Sequence, residues 1–85
     1  MSDIKIKYTG DLRTLATHVS SESTIITDAP LDNNGKGEKF SPTDLVATAL
    51  GSCMLTIMGM AAESQKLDIS NTRVKVEKVM GKEPR

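Results

Sequence analysis

From Leu45 to Ala62 the chain runs eighteen residues without a charged side chain, and apolar or small residues surround the whole circumference of any helix drawn through them. Such a helix has no face fit for water, so something must cover it. Its start is encoded just upstream. In Phe40-Ser41-Pro42-Thr43-Asp44-Leu45, Ser41 is a capping side chain, and Pro42 fills the first helical position, where a missing N–H costs nothing. Asp44 completes a capping box and Phe40 can staple onto Leu45. The pattern predicts a helix over 42–65. A run of this length also reaches the lower edge of a membrane span. However, Gly51, Gly59, Ser52, Thr48 and Thr56 dilute its hydrophobicity, and Asp44 and Glu63 flank it where a span favours Lys and Arg. The expectation is a central helix wrapped by sheet and no membrane partner, with Ala47, Gly51 and Gly59 letting another helix approach closely.

A chain of 85 residues is a single domain, and a fold of that size buries only about 60 to 65% of its unfolded surface. With aromatics at 2% (Tyr8 and Phe40) it lacks the large anchors that consolidate a small core. A second copy of the chain, or a C-terminal half following Arg85, is therefore expected to complete it. Around the helix the pattern is that of strands. Ile4 to Tyr8 alternates apolar and charged residues, Gly10-Asp11 supplies a turn, Leu12–Val19 and Thr24–Thr27 follow, and Thr72–Val79 places Val74 and Val76 on one face. These readings give an α+β chain with an N-terminal antiparallel meander over 4–27, a loop over 28–41, the helix over 42–65 and a strand over 72–79. The loop is dense in Asp, Asn, Gly and Pro and long enough to be functional. It is not a phosphate loop, because neither GxxxxGK[ST] nor GxGxxG occurs in it.

Lys and Arg total 11 and Asp and Glu total 11, a formal net charge of zero. With no basic stripe to neutralise phosphates, nucleic acid is not an expected partner. A single cysteine excludes an internal disulfide framework, and one cysteine with one histidine does not make a metal site. No cofactor is implied. The N-terminus alternates charged and apolar residues where a secretory leader needs a continuous apolar stretch, so a reducing cytoplasm is the expected location.

Chemistry then rests on few residues. Cys53 lies about three turns into the helix, on the face of Val46, Ala49, Leu50 and Ile57. A packed small hydrophobe and a reactive nucleophile both fit that position. Reactivity requires a depressed pKa, and the helix dipole fades within the first turn, so a cation must supply it. Arg13 is the candidate, because strand alternation puts it with Leu15, Thr17 and Val19; a solvated strand-edge residue is the competing reading. If it points inward it needs an anionic partner, and Asp44 is available. Nine positions separate Asp44 from Cys53, half a turn out of phase, so both meet one arginine only if the helix bends or two chains contribute. His18 falls on the strand face opposite Arg13.

The stretch from Phe40-Ser41-Pro42-Thr43-Asp44-Leu45 through Ala49-Leu50-Gly51-Ser52-Cys53-Met54 resembles the OsmC-like family, which includes the organic hydroperoxide resistance proteins. Gly10-Asp11-Leu12-Arg13, Asp28-Ala29-Pro30 and the strand ending in Met80 fit as well, over the first half or somewhat more of the family's domain. The resemblance implies an intertwined homodimer with central helices enclosed by sheets from both subunits. It also implies a thiol peroxidase of oxidative-stress defence, which reduces organic hydroperoxides and is recycled by an external thiol or dithiol. In that frame Cys53 matches the attacking cysteine, Arg13 the arginine that stabilises its thiolate, and Asp44 the carboxylate that orients the arginine, a position where the hydroperoxide-specialised branch carries Glu. The family's resolving cysteine has no counterpart among these 85 residues. The alternative is a non-enzymatic OsmC-like scaffold that binds a small apolar ligand at the dimer interface.

Overall fold

The computed structural model describes residues 3–79, and the chain divides into two compact units, Met1–Thr43 and Asp44–Arg85. The first unit is a three-stranded antiparallel sheet in the order β1 (Ile4–Gly10), β2 (Arg13–His18), β3 (Thr24–Asp28). The second strand is shorter at both ends than the sequence pattern, because Leu12 belongs to the β1–β2 turn and Val19 to the β2–β3 turn. Asp11 and Leu12 both have positive φ (55° and 62°), the signature of the two-residue hairpin turn whose twist matches the flanking strands. A leucine there is strained, and the Tyr8 hydroxyl, accepting from the Leu12 amide at 3.2 Å, and the Ala29 amide, donating to the Leu12 carbonyl at 3.1 Å, hold it.

Register decides which side chains share a face. Ile6 pairs with Ala16 and Ala16 with Ile25, while Lys7 pairs with Leu15 and Leu15 with Ile26. One face therefore carries Ile4, Ile6, Tyr8, Ala16, His18 and Ile25, and the other carries Lys5, Lys7, Arg13, Leu15 and Asp28. After β3 the chain enters a loop whose ends meet, since the Asp28 amide donates to the Phe40 carbonyl at 3.1 Å. A single 3₁₀ turn, Leu31–Asn33, and a left-handed Asn34 (φ 68°) reverse the chain within it. The Gly35 amide then donates to the Pro30 carbonyl at 3.0 Å and the Gly37 amide to the Ala29 carbonyl at 3.2 Å.

The second unit is built on α1 (Pro42–Ser64). Its end is a Schellman motif: the Leu67 amide donates to the Ala62 carbonyl (2.8 Å) and the Lys66 amide to the Glu63 carbonyl (3.1 Å), with Lys66 in the left-handed conformation, φ 58°, that glycine usually takes. An Asx turn follows, in which the Ser70 amide donates to Asp68 Oδ1 at 2.8 Å. The chain then returns along the helix. Val76 Cγ2 and Val74 Cγ1 lie 3.0 and 3.3 Å from where a Cβ on Gly51 would stand, so the bare Gly51 backbone is what lets the return segment close on α1. Val74 and Val76 both lie beside Gly51 while staying 45% and 40% exposed, and Thr72–Val79 forms no ladder among the described residues and is not a strand there; a strand needs a neighbour. Met80 lies outside the described residues.

Along α1 only Gly51 and Ala62 are buried. The expectation of a helix buried all round is thus not met within this chain, because one return segment covers one face. Val46, Leu50, Met54, Ile57 and Met60 remain between 50% and 71% exposed.

Candidate functional site

The first unit gathers one ionic cluster. Arg13 opens β2, and Asp28, its register partner across the ladder, closes β3. Asp28 is held by two partners on one oxygen, with Arg13 Nη2 3.3 Å from Oδ2 and the Glu38 amide donating to it at 3.1 Å, and its side chain has no exposure. Its Oδ1 is buried and has no hydrogen-bond partner among the described residues. Arg13 Nη2 also donates to Glu38 Oε1, and these two side chains are 27% and 60% exposed. A loop of turn-forming residues therefore folds back to add a second carboxylate, Glu38, to the guanidinium that Asp28 of β3 already pairs.

Burial is the largest influence on the Asp28 carboxyl and pushes its pKa up, but the Glu38 and Lys36 amides and the Arg13 charge together outweigh it, leaving the group below the usual 3.8. A carboxyl depressed on folding contributes stability above its unfolded pKa, and that contribution disappears as pH falls through the folded value. The first unit should accordingly lose sheet signal on acidification below pH 3.8, and Asp28→Asn should remove that acid-dependent step. Circular dichroism during an acid titration checks this; an unchanged acid profile in the variant would assign the transition to another group.

The second unit presents Cys53, which is exposed. It lies on the helix face opposite the return segment, among Val46, Leu50, Met54 and Ile57, each also exposed. Asp44, in the first turn of α1, is held by Lys78, whose Nζ is 2.7 Å from Oδ1. A separate cleft of about 270 Å³ opens where the helix end meets the return segment, lined by residues including Leu55, Gly59, Leu67 and Ile69. Among the described residues no group of three or more His, Cys, Asp or Glu stands ready to hold a metal ion.

Of the residues singled out by sequence, Arg13 thus stands in the first unit, paired with Asp28 and Glu38, while Asp44 and Cys53 stand in the second. Sequence reasoning missed Asp28 and Glu38. For Asp28 the available signal was the β2–β3 register, since a strand-end Asp opposite an Arg is a cross-strand ion pair; Glu38 had no signal short of the loop's path.

The sequence model of the OsmC-like protein family matches residues 35–85, which include Asp44 and Cys53. No curated protein gave a significant match. A crystal structure of a Psychrobacter arcticus 273-4 protein, described as osmotic stress induced and of the detoxification response, shares the fold at TM-score 0.95 and 58% sequence identity. The match covers 100% of this chain and 62% of that one, so the chain spans less than two thirds of its neighbour's length. With a family match over residues 35–85 and the fold of the whole chain shared at 58% identity, the chain belongs to the OsmC-like protein family.

Proposed function

We propose that the chain belongs to a thiol-dependent peroxidase that reduces organic hydroperoxides in oxidative-stress defence, with Cys53 as the attacking sulfur. The observation that carries this reading is an exposed cysteine in the middle of an apolar helix stripe, within the segment that matches the family. The thiolate attacks the outer oxygen of the O–O bond, that bond breaks, and the alkoxide leaves as an alcohol after taking a proton. Sulfur keeps the oxygen as a sulfenic acid, and an external thiol or dithiol then reduces it, forming water and a disulfide. Arg13 supplies positive charge that favours the thiolate, and Asp44 helps to order the site. The description of the Psychrobacter arcticus protein as one of the detoxification response agrees with this assignment. Hydroperoxide loss, followed against Cys53→Ser, tests it: a parent chain that consumes an organic hydroperoxide no faster than a free small-molecule thiol removes the peroxidase reading and leaves the ligand-binding scaffold.

The protein works as a cytoplasmic homodimer in this reading, with the open α1 stripe turned toward protein and not toward lipid or nucleic acid. By length and composition α1 would also reach across a bilayer, but its acidic flanks argue against that use. Sedimentation at micromolar concentration should find a mass of at least two chains. A well-folded monomer would contradict the dimer, and an insoluble or molten chain would mean that further sequence completes the core.

A further inference from the structure

The loop that follows β3 brings a second carboxylate onto Arg13, and this one differs from Asp28 in what it is free to do. Asp28 is fully buried and tied to the Glu38 amide as well as to Arg13. Removing its partner would leave a buried charge alone, so Asp28 stays. The Glu38 side chain is 60% exposed, and water can take over its carboxylate at little cost. Its backbone is nonetheless pinned by the hydrogen bond that its N–H donates to Asp28 Oδ2, so the released carboxylate remains beside the guanidinium at high effective concentration. One cation facing two anions carries a net charge of minus one, and in that state Arg13 offers no positive field to a thiolate or oxyanion.

We propose that Glu38 is a positioning residue that competes with anions for Arg13: its carboxylate occupies the guanidinium and swings into solvent when a thiolate or oxyanion takes its place. The functional half of this inference rests on the reading of Arg13 as the charge that serves Cys53; the pairing itself does not.

Phenylglyoxal modification of the intact chain, mapped by peptide mass spectrometry with exposed Arg73 as internal reference, reads the pairing directly. Glu38→Gln should raise the rate at Arg13 relative to Arg73 by roughly two- to fivefold, the range expected for releasing an exposed ion pair. Added salt at about 0.3 M should reproduce much of that rise in the parent and little of it in the variant. An unchanged Arg13 rate in Glu38→Gln overturns the proposal whatever Cys53 does. Iodoacetamide alkylation of Cys53 near neutral pH then reads the consequence in the parent, Glu38→Gln, Arg13→Ala and the double variant. Glu38→Gln should speed alkylation when Arg13 is present and have no effect when it is Ala. If Arg13→Ala slows alkylation while Glu38→Gln leaves it alone, the competition is wrong and the peroxidase reading survives. If Arg13 is freed toward phenylglyoxal but Cys53 ignores both substitutions, the pairing stands and the role of Arg13 in the peroxidase reading falls.

Discussion

One equivalent of cumene hydroperoxide should leave a single oxygen on Cys53 in one burst, and Cys53→Ser should gain none. The chain has no other cysteine to trap the sulfenic acid as an internal disulfide. The reaction should therefore stop at one peroxide per chain until a thiol is added, and excess peroxide should drive the sulfur on to the sulfinic state. Dimedone labelling with intact mass follows each species. In the proposed peroxidase reading, the exposed stripe of Val46, Leu50, Met54 and Ile57 would be the apolar bed for the peroxide's alkyl group. At about 0.8 kcal/mol per buried CH₂, four carbons favour an organic hydroperoxide over hydrogen peroxide by a factor on the order of a hundred. Equal rates with the two oxidants would mean that the stripe plays no part in recognition, and a parent without any dimedone adduct would make Cys53 a packing residue.

The second large effect concerns no reacting atom. Replacing Gly35 with Ala would thrust a Cβ into the Ala29 carbonyl and to 2.6 Å from the Ala29 Cα, with only backbone there to give way. The Gly37 to Ala29 bond must open, the left-handed turn at Asn34 must shift, and the Glu38 amide is pulled off Asp28. Asp28 would then keep a buried charge with fewer partners. A loss on the order of 3 kcal/mol is expected, at the upper end of ordinary single substitutions. For a chain of this size that corresponds to a fall in melting temperature of roughly 15 °C. Calorimetry checks it, and a melting temperature within a degree of the parent would mean that the loop is not held by the Ala29 contact.

The two effects differ in how visible their causes were. The helix start was legible because Ser41, Pro42 and Asp44 act within one turn of each other, and local chemistry suffices to read it. The three strands were legible through their period of two. The ion pair at Arg13 was not, since Asp28 stands fifteen positions away and meets it only once the β2–β3 register is set. Sequence pattern and family resemblance pointed Arg13 toward Asp44, whereas Asp44 is engaged by Lys78 from the return segment, a partner invisible until the chain folds back over Gly51. Nor did any pattern mark Leu12 as a residue of positive φ, because leucine is a poor choice there and is tolerated only through the bonds from Tyr8 and Ala29. The fourth strand failed for the opposite reason: its alternation is real, but pairing is a property of two segments.

The outer position of β1 has a bearing on solubility. Among the described residues β1 is bonded to β2 on one side only, so its other edge offers its amides and carbonyls to any passing strand. Lys5 and Lys7 stand along that strand on one face, and a second β1 docking edge to edge would bring four like charges together. Dilute buffer keeps such strands apart. High salt screens the repulsion, so edge-to-edge aggregation of this sheet should grow with ionic strength, and exchanging the two lysines for threonine should remove that dependence by making the edge sticky at every salt concentration.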